Sequence, residues 1–275
     1  MTHSRPMIRE LLDDHGLAPR RDLGQNFVAD PNTVRRIADL ARVGPGDHVV
    51  EVGAGFGSLT LALAETKASV MAVEVDRGII PVLRAIIDES GVDNVTVVEA
   101  NAMETDWDEL LDPSIPGGWT LVANLPYNVG TPLVCDLLDE VQHVTRILVM
   151  VQREVAERFA ARPGDSAYGA ISVKASYWGT ARIVGHVPAS VFFPKPNVES
   201  ALVEIVRRQP PDIDPVPLFT LVKKAFGQRR KMLRKSLSGI VTAEQFEAAD
   251  VLETARPEEL GVDAWVRLTA VTLAR

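Results

Sequence analysis

Apolar residues recur along the first two thirds of the chain in two alternating rhythms. Short runs, HVVEV (48–52), ASVMAVEV (68–75), VTVVEA (95–100), TLVANL (120–125) and RILVMVQ (146–152), have the length and β-branched content of buried strands. Between them lie stretches with helical spacing: SLTLALAE (58–65), 77–90, about 131–140 and REVAERFAA (153–161). Two earlier helices are expected, over 5–14 and, after the start signals Asp30 and Pro31, over about 32–42. Strands alternating with helices predict βαβ units and a mostly parallel sheet. ARIVGHV (181–187) and ESALVEIVRR (199–208) read as a late hairpin-like pair, antiparallel at one edge of the sheet.

The rhythm then changes. QPPDIDPVP (209–217) holds four prolines in nine residues and reads as a linker. Beyond it every pattern is helical: 218–226, about 229–239, 242–250 and about 263–273. The expectation is an α/β domain over 1–208 and a small all-helical domain over 218–275.

Composition narrows the class. At 275 residues, 46% hydrophobic and 24% charged, the chain can bury a sizeable core. It has no run long enough for a membrane helix and no signal-peptide pattern, so a soluble cytoplasmic protein is expected. The single cysteine, Cys135, fits a reducing compartment and excludes an internal disulfide framework. The five histidines are scattered without metal-ligand spacing, so no metal is expected. A net charge of −8 argues against a nucleic-acid partner until its distribution is read. Lys223, Lys224, Arg229, Arg230, Lys231, Arg234 and Lys235 fall within 13 residues that hold no acid, which leaves −15 on the rest. Set on successive helical turns, such a run is a candidate phosphate-binding track for RNA.

EVGAGFGSLT (51–60) marks the turn from the first of these strands into a helix. Gly53, Gly55 and Gly57 allow a tight turn with no side chain between backbone and ligand. Glu74 ends the next strand, 21 residues after Gly53, where a carboxylate can hold both hydroxyls of a ribose. NAD enzymes and S-adenosylmethionine enzymes share this arrangement. The spacing here is G-x-G-x-G, so the dinucleotide G-x-G-x-x-G fails over Ser58–Leu59, which favours S-adenosylmethionine. Asn101, just after the third strand, sits where a side chain can reach an adenine amine.

NLPYN (124–128) closes the fourth strand. A turn explains its Asn and Pro but not its Tyr. Adenine N6 is a poor nucleophile because its lone pair is delocalised into the ring. The Asn124 amide oxygen and a backbone carbonyl at Leu125 or Pro126 can accept both N6 protons and free that lone pair. Pro126 fixes the chain direction, and Tyr127 offers a stacking face. VFFPKPNVES (191–200) supplies a second aromatic pair, Phe192 and Phe193, in a loop that can close over the other face of the base; Phe193 is the candidate.

With these motifs in order, LGQNFVAD (23–30), EVGAGFG, EVD (74–76), NAM (101–103), NLPYN, FFPKPNVES and AFGQRRKMLRKSL (225–237), the chain resembles the KsgA-type ribosomal RNA small subunit adenine dimethyltransferases over nearly its whole length. The resemblance implies a Rossmann-like methyltransferase fold and S-adenosylmethionine as donor. It implies contacts to that cofactor from the positions of Asn26, Val28, Gly53, Glu74, Asn101 and Asn124. It implies dimethylation of two adjacent adenosines near the 3′ end of 16S rRNA in an immature 30S particle and a role in assembly of that particle. A monomer is expected. The family usually has Asp where this chain has Asn101, so a re-tuned adenine contact is expected. Two alternatives share the fold: an Erm-type 23S rRNA methyltransferase, and an assembly factor without catalysis.

Overall fold

The computed structural model describes residues 2–274. In chain order the elements are α1 (Arg5–Asp14), β1 (Phe27–Val28), α2 (Pro31–Ala41), β2 (His48–Val52), α3 (Ser58–Glu65), β3 (Ser69–Glu74) and α4 (Ile80–Ser90). There follow β4 (Val95–Glu99), α5 (Trp107–Leu110), β5 (Trp119–Asn124), α6 (Gly130–Glu140), β6 (Val144–Gln152), α7 (Arg153–Ala160) and α8 (Ala170–Trp178). The last group is β7 (Gly179–Val187), β8 (Phe192–Phe193), β9 (Ser200–Arg207), α9 (Pro215–Phe226), α10 (Leu233–Ser236), α11 (Ala243–Ala248) and α12 (Val262–Leu273).

Seven strands form one sheet in the order β4-β3-β2-β5-β6-β9-β7. The first five are parallel, and β9 runs antiparallel to β6 from Arg146↔Val206 to Gln152↔Ser200. The late strand pair therefore lies at one edge, as its sequence pattern predicts. Parallel strands need both faces covered, and the apolar runs supply this. One face carries α2 and α3 over Val49, Val122, Leu148 and Leu202; a separate cluster packs α4 against Ala54, Leu61 and Ala72. Asp30 caps α2 by accepting from Thr33 N (2.9 Å), with Pro31 in the first turn.

Two compact units result. The first runs to Ala156 and resumes over Arg182–Val206; the second holds Glu157–Ala181 and the chain from Arg207 onward. These units do not follow the linear division expected at the Pro-rich stretch, because the segment bearing α8 packs with α9 and α12. Part of that stretch is itself helical: Asp214 caps α9 by accepting from Val216 N, and Pro215 takes its first position. The continuous helix expected over 229–239 is absent. Residues 227–231 form turns after Gly227, and only Leu233–Ser236 is helical.

A buried carboxylate ties the edge strands to α2. Glu204 on β9 is 1% exposed and pairs with Arg42 (2.7 Å), Arg182 (2.6 Å) and Arg146. Arg146 also donates to the carbonyls of Leu40 and Ala41 at the end of α2. Burial alone would raise the Glu204 carboxyl, but hydrogen bonds from Arg182 and Arg146 outweigh it and hold it below its ordinary 4.5. Glu204→Ala is expected to lower the unfolding free energy by about 3 kcal/mol, read from urea melts. A depressed folded value stabilises above the ordinary carboxylate pKa, and that contribution is lost as pH falls through the folded one. The deficit of the variant should therefore shrink in acid.

Candidate functional site

The parallel strands end at one edge, and there the first unit opens into a cavity of about 290 Å³. Its lining brings together Asn26, Val28, Gly53, Gly55, Glu74, Asn101, Asn124, Pro126 and Tyr127. These residues come from five separate stretches of sequence. The arrangement follows from the parallel register. Val52 pairs with Val73 and Ala123, so Gly53, Glu74 and Asn124 each stand one step past a shared rung.

The glycine turn is stripped of side chains for steric reasons. Gly55 has φ +55°, and a Cβ there would lie 3.2 Å from the Phe27 ring; at Gly57 (φ +81°) it would lie 2.8 Å from Leu83 Cδ1. The Gly55 N–H donates to Glu74 Oε2 at 2.8 Å, and Val75 N and Asp76 N donate to Oε1 at 2.9 Å each. Three N–H groups occupy a carboxylate with about four acceptor positions, so capacity remains for a ligand hydroxyl. Burial raises the Glu74 carboxyl, and the same three N–H bonds oppose that rise.

Glu51, which the sequence pattern does not single out, also lines the cavity. Burial pushes its carboxyl up to about 8; the Thr60 hydroxyl bond (2.5 Å) pulls it down, and the neighbouring Glu74 charge adds to the rise. Its only sequence signal is its place immediately before the glycine turn.

Asn124 is oriented by a contact 98 residues away. Its Nδ2 donates to the Asn26 carbonyl at 2.9 Å. A carbonyl only accepts, so this bond fixes which end of the amide is nitrogen and leaves Oδ1 as the free acceptor. The Asn26 side chain in turn donates to the Gly24 carbonyl (3.0 Å). The structure also separates the two backbone carbonyls. Pro126 O accepts from both Val129 N (3.2 Å) and Gly130 N (2.9 Å), while no loop N–H among the described residues bonds Leu125 O. Of the two carbonyls, Leu125 O is the one left with acceptor capacity. Asn101 Oδ1 accepts from Met103 N (3.1 Å), which turns its oxygen back on its own loop.

The aromatic pair divides. Phe192 is 1% exposed and lines the cavity. Phe193 is not in the lining; it packs against a cluster with Ile8, Phe56 and Ile79, with the Arg9 guanidinium 5.1 Å from its ring centre. Alternation along a strand sends neighbours to opposite sides. β8 pairs with β1 as Phe27↔Phe193 and Val28↔Phe192, which joins the LGQNF and FFPKP segments in one small ribbon. Arg5 clamps that ribbon by donating to the carbonyls of Ser190 (2.6 Å) and Phe192 (3.1 Å).

The basic run lies in the second unit but not on one helix, because Gly227 ends α9. Lys223 and Lys224 end α9, Arg229, Arg230 and Lys231 sit on the turn, and Arg234 and Lys235 belong to α10. Nor are all seven without acids: Arg229 approaches Glu258 (3.7 Å) and Arg234 pairs with Glu253 (3.1 Å), both from later in the chain. Lys223, Lys224, Arg230, Lys231 and Lys235 are exposed. No helix is long and apolar enough to cross a membrane, and no group of three His, Cys, Asp or Glu could hold a metal ion, among the described residues.

A parallel sheet with a glycine turn after its central strand and an acid ending the next is a Rossmann-like nucleoside-cofactor fold, and its structural neighbours place it among the methyltransferases. Solved structures share this fold. A dimethyladenosine transferase from Plasmodium falciparum matches with TM-score 0.74 and 22% identity, over 87% of this chain and 94% of its own. The 23S rRNA methyltransferase ErmE matches with TM-score 0.69 and 24% identity, over 90% and 100%. Ribosomal RNA small subunit methyltransferase A of Bifidobacterium adolescentis is 44% identical, over 95% of this chain and 91% of its own length; that of Corynebacterium efficiens is 44% identical, over 96% and 94%. The family described as Ribosomal RNA adenine dimethylase matches residues 16–272, and the chain belongs to it. It is an S-adenosylmethionine-dependent rRNA adenine dimethyltransferase. The bare glycine turn and the buried carboxylate with spare acceptor capacity suit that donor.

Proposed function

We propose that the enzyme dimethylates N6 of two adjacent adenosines near the 3′ end of 16S rRNA in an immature small subunit, and that it contributes to assembly of that particle as a cytoplasmic monomer. The names of its 44%-identical relatives support the small-subunit substrate. The orientation of Asn124 carries the chemical reading. With Nδ2 turned to the Asn26 carbonyl, Oδ1 is left free to accept from the base. Leu125 O takes the second N6 proton, and together they turn the nitrogen lone pair out of the ring. Tyr127 offers a face on which the base stacks, and Phe192 packs into the wall of the same cavity. S-adenosylmethionine supplies a methyl already activated by its sulfonium, so positioning does the work of a strong base. Glu74 would hold the ribose of that donor, Asn26, Val28, Gly53 and Gly55 would line its path, and Asn101 would meet its adenine.

The deciding experiment compares 30S particles from cells lacking this gene with protein-free 23S rRNA as substrates. Dimethyladenosine by mass spectrometry in the 30S reaction alone is expected. Product on 23S rRNA alone would move the enzyme to the Erm-type activity, and product on neither would favour a non-catalytic assembly factor.

Two further results are expected. Asn101→Asp supplies an oxygen that can serve Met103 N and an adenine amine together; it should tighten S-adenosylmethionine binding about tenfold by calorimetry. Replacing Arg229, Arg230 and Lys231 by Gln should weaken 30S binding and flatten its salt dependence by up to about 2–3 in log–log slope, leaving cofactor affinity unchanged. Arg229 is expected to give the least of the three, since it already meets Glu258 and the Ser166 carbonyl. An unaltered slope would remove phosphate contact from this run.

A further inference from the structure

Tyr127 stands on a loop, half-buried, and its ring lines the cavity. A tyrosine so placed can swing about its side-chain torsions unless its hydroxyl is held. Here the hydroxyl meets Ser200 Oγ at 3.0 Å. Ser200 opens β9, is 1% exposed, and stands opposite Gln152 of β6 at the last rung of that ladder. Its main chain is thus fixed by the sheet, and its side chain has nowhere to go. The residues that follow, Ala201, Leu202 and Val203, are all apolar and buried. A lone hydroxyl among them costs free energy unless it is bonded, and the Tyr127 hydroxyl is the partner it has.

We propose that Ser200 is a positioning residue for catalysis: its hydroxyl, anchored in the sheet, sets the angle of the Tyr127 ring and so the width of the slot that receives the target adenine. The proposal rests on reading Tyr127 as a stacking face. Ser200 is not part of the cavity lining and acts through Tyr127.

The test measures dimethylation of unmodified 30S particles by the full chain, with cofactor affinity by calorimetry in parallel. Ser200→Ala and Tyr127→Phe each remove the same bond. Each should raise KM for the particle about fivefold while cofactor Kd stays within about twofold of wild type. The double variant should be no worse than either single one, since the two share one interaction. Ser200→Thr, which keeps the hydroxyl, should restore most of the loss. Additive losses in the double variant, a wild-type KM in Ser200→Ala, or a fall in cofactor affinity that tracks the KM change would each overturn the proposal. Where Ser200→Ala does not fold, Tyr127→Phe deletes the bond from the half-buried side, and a wild-type KM there overturns it equally. Tyr127→Leu separates the two layers of inference. Strong impairment in that variant beside an unaffected Ser200→Ala leaves stacking intact and removes Ser200. An unaffected Tyr127→Leu removes the stacking role itself.

Discussion

Asn124→Ala is expected to lower methyl transfer by about a thousandfold while leaving most of the cofactor affinity in place. The magnitude is that of removing one preorganised polar group aimed at the reacting atom. Of the two proposed N6 acceptors, Asn124 Oδ1 and Leu125 O, only the first belongs to a side chain. Alanine also deletes the donor that holds the Asn26 carbonyl, so the 24–28 loop loosens and cofactor binding should weaken by less than about tenfold. Asn124→Asp is the sharper variant. It keeps an acceptor oxygen but sets a carboxylate against the Asn26 carbonyl, and it should be nearly as impaired as alanine. Near-normal turnover in either, measured as dimethyladenosine formed per enzyme on 30S particles, would dismiss the acceptor role.

Glu74→Ala is expected to weaken S-adenosylmethionine about a hundredfold. Two effects add. The ligand loses a charged acceptor, and the N–H groups of Gly55, Val75 and Asp76 lose the carboxylate that fixes the glycine turn against β3. Glu74→Gln keeps one acceptor oxygen and should fall between. Because burial raises the Glu74 carboxyl, wild-type affinity should begin to decline on acidification while the pH is still above the ordinary carboxylate value of 4.5, and the Gln variant should lack that decline. Calorimetry across pH checks both; an alanine variant of unchanged affinity would separate Glu74 from the cofactor.

The sequence pattern and the structure agree where one local rule decides. β2 and α3 lie at the residues their apolar rhythms predict, and the glycine turn, Glu74 and Asn124 reach one cavity because parallel strands end together. They part where distant partners decide. β1 and β8 are two residues each, too short for any periodicity, and exist because they pair with each other. α8, AISVKASYW, has almost no polar face, so it gives no amphipathic signal, and it packs with α9 and α12, which come later in the chain. The basic run reads as helical in the sequence, yet like charges within one turn repel, and Gly227 ends α9 after Lys224 and before Arg229. The acids that meet Arg229 and Arg234 lie 19 or more positions further on and leave no local trace. Which carbonyl of NLPYN is free could not be read from the motif, because the answer lies in the N–H groups that open α6.

The clamp of Arg5 on Phe192 joins residues 187 positions apart. A chain emerging from its N-terminus can therefore hold the glycine turn, Glu74 and NLPYN while Phe192, which lines the same cavity, is still unsynthesised. Translation must pass β8 before the pocket has its second wall, so a nascent or C-terminally clipped chain carries nearly every signature of the enzyme without a finished catalytic chamber.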